Sequence, residues 1–255
     1  MSEENKRKLS EQLIKCVLDD KLSNDKKLRK MDYIIRLGAD INAECGLGFS
    51  VLSLAKMMQN DEVVSFLEER GANDIGFDKE KAEKFFKSAS VEEINQVLKI
   101  LPDGYKLDCD VDLRGIDLTK LPDFSRVVIN GDFYCHCNQL KTLEGAPREV
   151  GGTFDCRINQ LISLEGAPSK VGGDFYCGRN KLTSLNGAPR MVGKRFNCFR
   201  NKLKTLEGAP SIVGWDFDCL NNPLENYNGK PDKIGGKFIA PSIEQVNIIN
   251  GGNSR

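Results

Sequence analysis

The sequence FYCHCNQLKTLEGAPREVGGT at 133–153 is followed by four variants of itself, each 21 residues long, which end at 237. They read FDCRINQLISLEGAPSKVGGD, FYCGRNKLTSLNGAPRMVGKR, FNCFRNKLKTLEGAPSIVGWD and FDCLNNPLENYNGKPDKIGGK. A fixed period of this length is typical of a solenoid, in which each repeat buries its apolar face by stacking on its neighbours. The stretch therefore predicts a repeat architecture and a binding function.

Each repeat has an internal direction. It begins with Phe-x-Cys, an alternation that places Phe and Cys on one side of a short strand and the middle residue on the other. An asparagine follows three residues after the cysteine, and leucine positions follow two and five residues after that asparagine. A Pro- and Gly-containing turn then leads to a valine or isoleucine at 150, 171, 192, 213 and 234. This spacing leaves no room for a long helix and predicts an extended return limb.

The pattern resembles the L-x-x-L-x-L-x-x-N-x-L consensus of the leucine-rich repeat family, with Phe and Cys in two leucine positions. In unit length it is similar to the short repeats of bacterial effector proteins. The resemblance covers roughly half the chain and implies a solenoid with a parallel sheet, whose asparagines bond the backbone of neighbouring repeats. Val111 and Leu113 open a divergent first repeat, and Phe238 opens a closing one. We therefore expect about seven repeats over 105–245.

An earlier stretch, 38–74, resembles an ankyrin repeat. Gly38-Ala39-Asp40 opens it, Ser50 to Ala55 stand where that family has T-P-L-H-x-A, and Gly71 follows Gly38 by 33 residues, which is the ankyrin period. Apolar spacing also predicts helices at 4–20, 79–89 and 91–100, the last opened by a Ser90 and Glu93 capping box. The resemblance implies a cap of helical hairpins over 1–104, which we expect to cover the first solenoid repeat.

The predicted fold class is an α+β repeat protein, with ankyrin-like helical hairpins followed by a leucine-rich repeat solenoid and a disordered tail at 246–255. Charge does not favour a bulk nucleic-acid binder, because 37 basic residues are balanced by 37 acidic ones. No apolar run is long enough for a membrane helix or signal peptide, so we expect no membrane association and a cytoplasmic location, which would be a host cytosol if the protein is an effector.

Nine cysteines are present, and five of them share one repeat position, at 135, 156, 177, 198 and 219. Such a column predicts buried structural thiols in preference to disulfides or a metal site. His136 is the single histidine, and no phosphate-binding loop, zinc-protease or nucleophile-elbow motif occurs. We therefore predict no catalytic residues, no metal, no cofactor and no enzymatic activity.

The residues that the repeat does not require are those on the outward side of the strands. Their mixture of aromatic residues and arginines is typical of protein-binding hot spots, so we predict an adaptor, inhibitor or host-directed effector with another protein as its partner. The predicted contacts are Tyr134, His136, Asp155, Arg157, Tyr176, Arg179, Arg195, Asn197, Phe199, Arg200 and Asp218.

Three alternatives remain open for this face. It could be a merely solvated sheet surface, or bind single-stranded nucleic acid by stacking and arginine contacts. The interspersed aspartates oppose nucleic-acid binding. The repeats could also be a purely structural, self-assembling solenoid.

Overall fold

The computed structural model of the protein describes residues 1–242, so the predicted tail at 246–255 lies outside the described residues. The chain divides into two compact units, Met1–Pro102 and Asp103–Arg255. Within the described residues, the first unit is helical and the second is built of short parallel strands.

The first unit has six helices in its described residues. They are Glu3–Leu18 (α1), Asn24–Arg36 (α2), Val51–Met57 (α3), Asp61–Glu68 (α4), Lys79–Ser88 (α5) and Val91–Leu98 (α6). The predicted capping box is confirmed, since the Ser90 hydroxyl accepts from the Glu93 N–H and the Glu93 carboxylate accepts from the Ser90 N–H. The helices pack around fully buried apolar side chains, among them Leu13, Met31 and Leu67.

The second unit is a parallel β-solenoid, in which each 21-residue repeat is one turn. The residue pair before the corner of each turn, which is Gly-Gly in three of the turns, forms the valine sheet. Its strands are Lys106–Leu107 (β1), Val128–Ile129 (β3), Glu149–Val150 (β5), Lys170–Val171 (β7), Met191–Val192 (β9), Ile212–Val213 (β11) and Lys233–Ile234 (β13). The pair after the corner forms the phenylalanine sheet, with strands Val111–Asp112 (β2), Phe133–Tyr134 (β4), Phe154–Asp155 (β6), Phe175–Tyr176 (β8), Phe196–Asn197 (β10), Phe217–Asp218 (β12) and Phe238–Ile239 (β14).

The predicted solenoid, including its first and last turns, is confirmed. Val111 pairs with Phe133 and Phe217 pairs with Phe238, so both divergent turns keep the register of the others. The single predicted sheet is corrected to two, because the extended return limbs also pair with one another. Their close stacking depends on glycine at the corner, where a Cβ atom on Gly214 would overlap the carbonyl oxygen of Gly193.

A stack of phenylalanine rings runs through the interior of the second unit. Neighbouring rings from Phe133 to Phe238 have centroids 5.2 to 5.9 Å apart and nearly parallel planes. Phe124 closes one end and Tyr227 the other, each edge-on at 5.2 Å. Tyr227 stands where the other full repeats carry leucine, and its ring packs edge-on against Phe238, the last ring of the stack.

An asparagine ladder ties successive turns together, as the family resemblance implies. The Asn159 Oδ1 accepts the N–H of Leu140 in the preceding turn at 3.0 Å, and its Nδ2 donates to the carbonyls of Cys135 and Cys156 at 3.0 and 3.1 Å. Asn180 makes the same three bonds one turn later. The ladder satisfies backbone groups that the bend between strand and return limb leaves without a sheet partner.

The predicted buried thiol column is confirmed. All five cysteines of the column are fully buried, and none of them is in a disulfide. From Cys156 onward each Sγ lies 3.4 to 3.5 Å from a carbonyl oxygen of the next turn, as in Cys156 to Tyr176. Burial raises the pKa of these thiols, that of Cys219 to about 12, so they stay protonated and unreactive near neutral pH.

Candidate functional site: the outward face of the phenylalanine sheet

The outward face of the phenylalanine sheet is formed by the residues on either side of each buried Phe and by the residue after each Cys. Alternation along these strands turns Phe and Cys inward, so the remaining side chains form parallel columns with one residue per turn. The three columns are Asp132, Thr153, Asp174, Arg195, Asp216; Tyr134, Asp155, Tyr176, Asn197, Asp218; and His136, Arg157, Gly178, Phe199, Leu220.

Tyr134 lies at the first end of this face and is half-buried. Its hydroxyl donates to the Asp132 carboxylate at 2.6 Å, and the Arg114 guanidinium lies 5.6 Å from the ring centroid. The bond to Asp132 raises the pKa of Tyr134, so the phenol stays protonated at physiological pH. The ring is therefore held in one orientation by its neighbours before any partner binds.

Asp155 is not an open contact residue, because its side chain is only 3% exposed. The Arg157 guanidinium covers it through Nε and Nη2, at 3.0 and 2.7 Å, and the His136 Nδ1 lies 3.3 Å away on the preceding turn. The carboxylate thus positions Arg157, whose guanidinium lies 4.8 Å from the Tyr176 ring centroid. A molecule on this face would meet Arg157 and Tyr176, with Asp155 beneath them.

Phe199 is half-buried, whereas the sequence suggested an exposed ring. It packs on Gly178 of the preceding turn, where a Cβ atom would overlap the ring. The Arg179 guanidinium lies 5.6 Å from the ring centroid. Beside it, Asn197 Nδ2 donates to Asp218 at 3.0 Å, so these two predicted contacts bond each other.

Three aspartates in the first column serve the backbone. Asp132, Asp174 and Asp216 each accept, through Oδ1, the N–H of the residue one turn later, at 2.6 to 2.9 Å. They replace ladder bonds at the Gly-rich corner and so contribute to stacking. The interspersed aspartates of this face are therefore partly structural.

Trp215 is a further candidate contact, for which the sequence favoured packing at the edge of the sheet over binding. It occupies the second glycine position of its corner, and its side chain is about half exposed. Lys194 Nζ and the Arg195 guanidinium lie 5.5 and 5.9 Å from its rings, and Arg195 also pairs with Asp216 at 3.5 Å. The sequence offered a signal, since its single tryptophan stands at a position that is glycine at 152, 173 and 236 and lysine at 194.

The remaining two predicted contacts, Arg179 and Arg200, lie on the bend that follows the strand and are exposed. Both have left-handed backbone conformations, with φ of 56° and 53°. Among residues 1–242, no group of three or more His, Cys, Asp or Glu side chains is arranged to hold a metal ion. None of the helices described is long and apolar enough to cross a membrane.

A scan against protein-family models gives no match, and searches of curated proteins and of solved structures give no significant match.

Proposed function

We propose that the protein is a non-enzymatic interaction module that binds another protein on the outward face of the phenylalanine sheet. In this proposal the solenoid is a leucine-rich repeat domain, the helical unit is ankyrin-like, and the protein acts as an adaptor, inhibitor or effector in the cytosol. The cytosolic location is supported by nine cysteines without a disulfide, which fits a reducing compartment.

The observation that carries the proposal is the set of half-exposed aromatic rings on this face, each with an arginine close to the ring. Tyr134, Tyr176 and Phe199 have guanidinium carbons at 5.6, 4.8 and 5.6 Å from their centroids. Rigid aromatic residues with neighbouring arginines are enriched at binding hot spots, because little side-chain entropy remains to be lost on association. The buried Phe and Cys columns account for the stacking of the turns, so the outward aromatic residues are not needed for the fold and are available for recognition.

Nucleic-acid binding is less well supported by the same face. Arg157 and Arg195 are paired with Asp155 and Asp216, so they offer little net charge to a phosphate backbone. An enzymatic role is also less well supported, because the column thiols are neutral and buried and cannot act as nucleophiles.

The proposal is tested by capture from a cell lysate with the immobilised protein and a variant carrying Tyr134→Ala, Tyr176→Ala and Phe199→Ala. A control variant carries Ile162→Ala, Met191→Ala and Ile212→Ala, which removes three exposed apolar residues from elsewhere on the solenoid. We expect to capture a protein that the wild type and the control retain and the aromatic variant loses. Once this partner is purified, its affinity for the aromatic variant is expected to be at least about 30-fold weaker than for the wild type.

Thermal melting establishes that both variants fold. A partner that binds the aromatic variant as tightly as the wild type would place the binding site elsewhere. Capture of no protein by the wild type would favour the structural, self-assembling alternative.

A further inference from the structure

The tetrapeptide Arg-Asn-Lys-Leu occurs twice, at 179–182 and 200–203, in adjacent turns of the solenoid. The corresponding residues of the other full turns are CNQL at 137–140, INQL at 158–161 and NNPL at 221–224. The asparagine and leucine belong to the structural columns, whereas the two positions beside the asparagine are cationic only in these two turns. Arg179, Lys181, Arg200 and Lys202 together form what we call the basic corner.

The turn itself does not favour arginine. The residue before each ladder asparagine has a left-handed backbone conformation, with φ between 53° and 58° from Cys137 to Asn221. That conformation is favoured by glycine and tolerated by asparagine, and it costs other residues about 1 kcal/mol or more. Backbone geometry therefore does not account for arginine at 179 and 200.

The two guanidinium groups are also unpaired. Within residues 1–242, no carboxylate oxygen lies within 4.0 Å of Arg179 or Arg200, whereas Arg114, Arg157 and Arg195 each have one. The N–H of Arg179 donates to the carbonyl of Phe199, and that of Arg200 donates to the carbonyl of Leu220, both at 2.9 Å. The backbones of the two arginines therefore lie on neighbouring turns, about 4.8 Å apart along the solenoid. Neighbouring turns of one column thus carry two exposed arginines that have no carboxylate partner among the described residues.

We propose that the basic corner binds an acidic segment of the partner protein, with carboxylates paired to Arg179 and Arg200 and an adjacent apolar residue packed on Phe199. This inference rests on the proposed function and names the chemistry of its partner. Arginine fits the assignment because its planar donors pair two at a time with a carboxylate. Phe199 borders the corner, since the Arg179 guanidinium lies near its ring.

A short peptide suits the corner better than a nucleic acid. The cations span only two turns, and the same column continues into Ile158 on one side and Asn221 on the other. A phosphate backbone needs a longer track of cations than these two turns provide.

The test uses random twelve-residue peptides displayed on phage and selected on the full-length protein. Affinities of the selected peptides are then measured by fluorescence anisotropy for the wild type, Arg179→Asn with Arg200→Asn, and Lys170→Gln with Lys233→Gln as the charge-matched control. Asparagine tolerates the left-handed conformation, so the asparagine variant is expected to melt at or above the wild-type temperature. With that melting temperature measured, a loss of affinity is assigned to the missing guanidinium groups and not to unfolding.

We expect selected peptides enriched in Asp and Glu, with affinity at least about 10-fold weaker for the asparagine variant and nearly unchanged for the lysine control. Selection of peptides without acidic residues, or equal losses in both variants, would overturn the inference. Tighter binding of a twelve-nucleotide oligo(dT) than of any selected peptide would also overturn it.

The aromatic triple variant separates this inference from the proposed function. If the selected peptides lose affinity for the aromatic variant but not for the asparagine variant, the outward face stands and the basic corner is wrong. If they lose affinity only for the asparagine variant, the basic corner is supported as a binding site and the aromatic residues of the outward face are not part of it.

Discussion

The second unit is expected to lose stability steeply above about pH 9, because its five column thiols must remain protonated in the folded state. Burial raises the pKa of each of these thiols, that of Cys219 to about 12, whereas a cysteine in an unfolded chain ionises near pH 8.5. Between these values the folded state binds five more protons than the unfolded state, so the free energy of unfolding falls as pH rises.

The expected slope is large. Each thiol contributes about 1.4 kcal/mol per pH unit, and five together contribute about 7 kcal/mol per pH unit, which is comparable to the whole stability of a typical domain. Urea unfolding followed by circular dichroism between pH 8 and about pH 10.5 measures this slope. At pH values below the pKa of cysteine in the unfolded chain, the thiols are protonated in both states and the free energy of unfolding keeps its full value.

A matched variant separates the column thiols from other alkaline effects. Cys156→Ala with Cys198→Ala removes two of the five buried thiols, so the slope is expected to fall by about two fifths, although stability at pH 7 also decreases. An unchanged slope in this variant would show that groups outside the column cause the alkaline transition.

Replacing Asn180 with alanine is expected to destabilise the second unit by about 2–4 kcal/mol, because partly buried backbone groups lose their hydrogen-bond partners. The substitution leaves the N–H of Leu161 without its acceptor and removes one of the two asparagine donors to each of the carbonyls of Cys156 and Cys177, which keep their bonds from Asn159 and Asn201. Chemical denaturation measures the change.

Two further variants test whether the ladder is the cause. Asn186→Ala makes the same chemical change at an exposed position where three of the other four full repeats carry glutamate, so it is expected to change stability by less than about 0.5 kcal/mol. Asn180→Asp keeps an acceptor for Leu161 but loses both donors, so it is not expected to restore stability. Equal effects of the two alanine substitutions would contradict the role of the ladder.

Much of the solenoid could be predicted because its repeat fixes register without reference to distant contacts. The alternation around Phe154 and Cys156, the asparagine column and the divergent first and last turns all follow from spacing. The valine sheet was missed for a physical reason. Each return limb contributes only two residues, as in Glu149–Val150, and two residues are too short for periodicity to distinguish a strand from an extended link.

The candidate site was less accessible to prediction, because side-chain pairing across turns decides which residues are open. Alternation placed Asp155 on the outward side, but it could not show that Arg157 and His136 cover the carboxylate. The packing of Phe199 on Gly178 could have been found, since a large residue stands one repeat after the only glycine in its column. The basic corner could likewise have been found by comparing the residues beside each ladder asparagine.

Counting reactive thiols in the native protein tests most directly whether the repeats stack with one face inward and the other face open to a partner. Of the nine cysteines, Cys137 alone is exposed and the other eight are buried. With 5,5′-dithiobis(2-nitrobenzoic acid) at neutral pH, one thiol is expected to react rapidly and eight only after denaturation, and Cys137→Ser should abolish the rapid reaction. Rapid reaction of the column cysteines in the native protein would contradict the stacked solenoid and the outward face that depends on it.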